Sequence, residues 1–156
     1  MRNLKTCITF GCLFLAVAGA QDQNRKPGLY DVTITTTTAS PSPNARPPRT
    51  IQACLTREMI DKYGAIVPDY LSNLCQLANV VKKPEGMNAD IVCSSSRMTG
   101  KGTLDVSWTD SEHTKGTIHF SGSMRPGDNE IKIEWTAVTV SAYKGPDCGE
   151  LKPANP

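Results

Sequence analysis

The side chains best suited to chemistry in this sequence are two histidines, a spaced set of cysteines and a few aromatic rings. His113 stands three residues after Asp110, and His119 lies on the alternating segment that follows. An Asp–His pair can orient an imidazole as a general base. A nucleophilic triad also needs a hydroxyl placed by geometry, and no G-x-S-x-G elbow is present. H-E-x-x-H, the EF-hand spacing, the P-loop and G-x-G-x-x-G are absent as well. Asp105, Asp110 and Glu112 gather near a turn, which is the usual composition of a solvated hairpin end. The sequence therefore assigns no catalytic, cofactor-binding or metal-ligating residue, and both histidines are expected on the surface.

The cysteines depend on which of them stay in the folded chain. Arg2 and Lys5 precede an apolar run from Cys7 to Val17, and the run ends in Ala18-Gly19-Ala20. That is the layout of a secretory signal peptide, so cleavage is expected after Ala20. The run is too short for a spanning helix, which needs about 20 apolar residues. Residues 21–156 are then expected as one domain, periplasmic or secreted. Loss of Arg2 and Lys5 brings the formal charge from +2 to zero and leaves Cys54, Cys75, Cys93 and Cys148. An even count in an oxidising compartment reads as two disulfides. Zinc sites use closer Cys spacing, and no C-x-x-C is present.

Three pairings are possible for four cysteines, and spacing alone does not choose. Hairpin geometry favours one. The segments 75–81 and 88–93 flank Lys83-Pro84-Glu85-Gly86, a strong turn signal. Folding about Pro84 sets Leu77 opposite Ile91 and Cys75 opposite Cys93. Opposed residues lie about 4.5–5.5 Å apart, within disulfide reach. Cys54–Cys148 is the remaining pair.

Positioning these residues falls to strands. Period-two alternation recurs at Tyr30/Val32/Ile34, Ile51/Ala53/Leu55, Leu104/Val106/Trp108, Ile118/Phe120 with Met124, and Ile131/Ile133/Trp135. Val138 and Val140 break that phase, which predicts a bulge near Thr136-Ala137. The turn Arg125–Glu130 sets Met124 beside Ile131, Gly122 beside Ile133 and Phe120 beside Trp135. Keeping Val106 and Phe120 on one face requires an odd number of loop residues, or a bulge, in the connection after Trp108. One helix is expected, capped by Thr56, with Met59, Ile60 and Tyr63 as its apolar face and Gly64 as its end. Pro68 is expected to start a further short turn toward Leu74. Residues 36–50, rich in Thr, Ser and Pro, are expected as a loop. The fold class is mainly β: a curved antiparallel meander of about six to seven strands with one short α-helix and two disulfides.

At 156 residues and 21% charged side chains the chain has neither the length for a separate cofactor module nor a basic track for nucleic acid. Arg46/Arg49 and Lys82-Lys83 are small basic spots of an ordinary surface. Trp108, Trp135, Phe120 and Tyr30 are the rings that a strand face would either bury or present to an apolar ligand.

Taken together, Lys26-Pro27-Gly28-Leu29-Tyr30-Asp31-Val32, Cys54-Leu55-Thr56, the Cys75/Cys93 hairpin, the Trp108 and Phe120 strands and Gly145-Pro146-Asp147-Cys148 resemble a bacterial exported family. It is a domain of unknown function, number 3617 in that series. The resemblance implies a periplasmic, mainly β domain with paired cysteines and no assigned catalytic residues. Tyr30 stands where the family opening has Trp, and Gly-Pro-Asp-Cys is a loosened form of its ending. The expected role is a non-catalytic module binding an apolar small molecule or an envelope component, with no cofactor, no nucleic acid and no transmembrane anchor. The alternatives are a hydrolase built on carboxylates without a recognisable motif and a structural protein pairing through a sheet edge.

Overall fold

A computed structural model of the chain describes residues 25–64 and 74–151. The expected leader, with Cys7 and Cys12, and the expected turn at Pro68 lie outside the described residues. The elements in order are β1 (Gly28–Ser40), β2 (Asn44–Ala45), β3 (Arg49–Leu55), α1 (Arg57–Tyr63), β4 (Cys75–Lys83), β5 (Gly86–Ser94), β6 (Met98–Trp108), β7 (His113–Met124) and β8 (Ile131–Gly145). The strands form one antiparallel sheet in the order β2-β1-β8-β7-β6-β5-β4, and β3 also pairs with β1. Strands β4 to β8 are a meander, and β1 returns to lie beside β8.

Register follows from the turns. Cys75 faces Cys93 and Leu77 faces Ile91. Asn79 takes a positive φ of 50°, and the register shifts by one between Ala78 and Val81. Met124 faces Ile131, Gly122 faces Ile133 and Phe120 faces Trp135. Trp108 faces Thr114, so residues 109–113 form the odd connection that keeps Val106 and Phe120 on one side. Disulfides join Cys75 to Cys93 and Cys54 to Cys148.

One face of the sheet holds the core. Tyr30, Val32 and Ile34 of β1 pack there with Met87, Ala89 and Ile91 of β5, Leu104, Val106 and Trp108 of β6, and Ile118 and Phe120 of β7. Helix α1 joins them through the fully buried Met59. Thr56 Oγ1 accepts from the Met59 N–H at 3.2 Å, and Gly64 ends the helix at φ 71°, where a side chain would strain the backbone. The helix is seven residues long, or about 10 Å. The 15 residues of β8 extend to about 50 Å. Among the described residues one short helix covers only part of such a face.

Three sequence expectations change. Residues 36–50 are not one loop: β1 continues through Ser40, β2 occupies Asn44–Ala45, and β3 starts at Arg49. Thr36, Thr37 and Thr38 pair with Ala137, Thr136 and Trp135 of β8. Threonine is β-branched and favours strands, and the long β8 gives this run a partner. The bulge expected at Thr136-Ala137 is absent, because β7 and β8 stay in one register from Met124↔Ile131 to His113↔Ala142. Ala137 and Ser141 keep the inward phase, while Val138 and Val140 face outward as β-branched residues suited to either side of a strand. The irregularities of β8 lie instead in its pairing with β1, at Leu29/Tyr30 and Thr38/Ser40. Finally Ile51, opposite Val32 on the edge strand β3, is 43% exposed and does not join the core.

Candidate functional site

Beyond the reach of α1 the core face opens into a groove of about 360 Å³. Its floor alternates from three strands: Ile34 from β1, Met124 from β7, and Ile133, Trp135 and Ala137 from β8. Thr36, Thr38 and Ser40 continue the inward phase of Ile34 along β1 and line one wall. Arg46 and Arg49, on the chain that turns back beside β1, stand at the rim, and the Arg46 N–H donates to the Thr36 carbonyl at 3.0 Å. Among the described residues no aspartate or glutamate lines the groove.

Trp135 owes its place to glycines of β6 and β7. Its ring stacks on Phe120, with centroids 5.6 Å apart and planes 26° apart. Phe120 in turn lies over Gly100, Gly102 and Gly122, where an added Cβ would meet the ring at 2.7, 3.2 and 3.1 Å. A side chain at any of them would first meet a backbone carbonyl of the neighbouring strand, at 2.2–2.5 Å, and would crowd the Phe120 ring as well. The three glycines thus keep Phe120 flat and buried, and Trp135 half-buried above it with a face toward the groove.

The other two rings singled out from the sequence go elsewhere. Trp108 is buried at the end of β6. Its Nε1–H donates to the Pro84 carbonyl at 2.6 Å, and Gly64 at the end of α1 packs against its ring. Tyr30 is fully buried. Its hydroxyl donates to the Lys26 carbonyl at 2.7 Å, and Tyr143 meets its ring edge-on at 5.4 Å. Burial pushes the Tyr30 phenol above its ordinary pKa. So the structure brings Phe120 and Trp135 together at the groove and uses Trp108 and Tyr30 as packing. Cys54, Cys75, Cys93 and Cys148 are all in disulfides away from it.

Beside Tyr30 lies a residue that the sequence did not single out. Arg25 is almost wholly buried, with its guanidinium 5.1 Å over the Tyr30 ring and Nη1 donating to the His113 carbonyl at 3.1 Å. Among the described residues Nε and Nη2 meet no hydrogen-bond partner. Burial lowers the pKa of this guanidinium. Nothing in the local sequence marks an arginine here as interior, since arginine is rarely buried.

The histidines do not form a catalytic set. His113 Nδ1 lies 2.9 Å from Asp110 Oδ2, but Asp110 Oδ1 also accepts the backbone N–H groups of Glu112 and His113 at 2.7 and 2.8 Å. That is an Asx turn closing the β6–β7 connection. The Glu112 N–H and then the His113 side chain hold the Asp110 carboxyl below the usual range. Among the described residues no serine or threonine hydroxyl bonds His113. His119 stands on the outer face and bonds Thr136 Oγ1 at 3.0 Å.

Asp90 and Asp105 border a shallow outer depression of about 500 Å³. Each is held by a cross-strand amide, Asn79 at 2.7 Å and Asn88 at 2.5 Å respectively. Asp90 is half-buried and Asp105 exposed, without the dry enclosure that prepares a carboxyl as a general acid. Among the described residues no three His, Cys, Asp or Glu side chains are gathered to hold a metal, and no helix is long and apolar enough to cross a membrane.

A family model described as "Protein of unknown function (DUF3617)" matches residues 25–148. The chain belongs to that family. The match begins at the buried Arg25 and ends at Cys148, the second half of the long-range disulfide, so it takes in every strand among the described residues of this DUF3617 domain. No curated protein and no solved structure matches the chain.

Proposed function

We propose that this DUF3617 protein is an exported, non-catalytic binding module whose groove beside Trp135 takes an apolar small molecule. The observation that carries the reading is the half-buried Trp135 ring, supported from below by Phe120 and bordered by Ile34, Ile133, Ala137 and Met124. A mainly apolar cleft of 300–1,000 Å³ with a few polar groups is the usual form of a small-molecule site. Export to the periplasm is supported by the leader's charged and apolar regions and by the Ala-Gly-Ala ending. Disulfide pairing of all four cysteines beyond the leader suits an oxidising compartment.

Two features oppose pairing through the β4 edge. The shift at Asn79 kinks that strand, and Lys82-Lys83 places charge along it. Both are devices that discourage strand addition.

Calorimetric titration with linear alcohols of increasing length tests the binding reading. Each added methylene that enters the groove is expected to tighten Kd by up to about fourfold, until the floor is filled. Absence of heat for every alcohol up to its solubility limit would remove this function.

A further inference from the structure

The groove has a second chemical character at its rim. Arg125 pairs with Glu130 at 2.9 Å, Lys26 with Glu112 at 2.5 Å and Lys144 with Asp31 at 3.5 Å. Among the described residues Arg46 and Arg49 have no carboxylate within ion-pair distance. They line the same groove as Trp135, and no acidic side chain faces them from β1, β7 or β8 there. Thr36, Thr38 and Ser40 grade the lining from the apolar floor toward a polar wall. A volume of about 360 Å³ lies near the lower limit for ligand sites, enough for one alkyl chain and not for a two-chain lipid.

We infer that the groove takes a single-chain amphiphile with a carboxylate head, its tail on Trp135 and its head between Arg46 and Arg49. This deepens the binding reading above and rests on it. The division of labour follows from the side chains. Trp135, Ile133 and Met124 offer an alkyl chain a largely apolar surface to cover. The two guanidinium groups offer planar forks that match a carboxylate bidentately. A cationic head would face two like charges without a counter-ion, so the rim also excludes the opposite class. A neutral head gains neither effect.

The test uses the disulfide-bonded chain from residue 21 onward and four probes of equal tail length: decanoate, decanol, decylammonium and decyl phosphate. Calorimetry below the aggregation limit of each probe is expected to show decanoate binding about tenfold more tightly than decanol, with no binding of decylammonium. The exposed double substitution Arg46→Gln/Arg49→Gln is expected to abolish the preference for decanoate, bringing its affinity to that of decanol. In the unaltered protein the preference for decanoate is expected to shrink as salt is raised, while decanol is indifferent. Equal affinities for decanoate and decanol, insensitive to salt and to the double substitution, would overturn the inference while leaving the apolar groove intact. Tighter binding of decyl phosphate than of decanoate would overturn the choice of carboxylate. Failure of all four probes, decanol included, would instead remove the binding reading on which the inference stands.

Discussion

Trp108 closes β6 against the end of α1, and Trp135 sits on β8 beyond the helix's reach. Both rings come from alternating segments, and both point to the core face of the same sheet. At the first, Gly64 lies against the ring and the Pro84 carbonyl takes the indole N–H. At the second, Phe120 supports the ring from one side, and the other side opens on the groove. Alternation in a sequence reports which way a side chain points. Whether anything then covers it is decided by the second layer, which among the described residues is one helix of seven residues. The covered end uses its aromatic residue as packing, and the uncovered end presents one.

Removing each ring tests this contrast. Trp108→Ala is expected to cost about 3–5 kcal/mol, the usual loss for a large buried aromatic that leaves a cavity. It also leaves the Pro84 carbonyl without its donor. Trp135→Ala is expected to cost about 1–2 kcal/mol, less than Trp108→Ala, because the ring is only partly buried and one side is open to the groove. Urea unfolding of the two variants measures both. Equal losses would erase the distinction between the two ends.

A finer contrast concerns the covered end alone. The Asp110 turn folds the β6–β7 connection against it, with Lys26 N–H donating to the Ser111 carbonyl and Tyr143 N–H to that of Glu112. The Asp110 pKa is lowered by the Glu112 backbone N–H and by His113. A depressed carboxyl contributes stability that is fully present above the unfolded aspartate value of about 3.9 and is lost as pH falls through the folded value. Asp110→Asn keeps the side-chain shape but removes that titration. Its stability is expected to fall less steeply than that of the unaltered protein below about pH 4, as read by urea midpoints across the acid range. Superimposable acid limbs would mean that the turn does not hold this end.

Much of this frame is legible in the sequence. Pro84 and the 125–130 turn specify local hairpins, so the facing of Cys75 with Cys93 and of Phe120 with Trp135 follows from short-range geometry. Thr56, Met59 and Gly64 mark the helix for the same reason. The Thr36–Ser40 run read as low complexity, because its strand state depends on β8, a partner about 100 residues later in the chain. Val138 and Val140 misled in the opposite sense, since β-branched residues suit a strand on either face. At the candidate site Trp135 and Phe120 were visible as rings. The glycines beneath Phe120 and the approach of Arg46 and Arg49 to the groove are products of sheet order, which no local pattern encodes. Arg25 was hidden for the same reason, its interior position set by Tyr30 and the distant 109–113 connection.

The chain contains only two tryptophans, which allows both ends of the core face to be read in one experiment. Nitrogen-15 labelled protein gives one indole N–H signal from each, and decanoate is added stepwise. The indole signal of Trp135, assigned by its loss in Trp135→Ala, is expected to move progressively to saturation while that of Trp108 stays in place. An unmoved Trp135 signal, or equal movement of both, would contradict a ligand site at the uncovered end of the sheet.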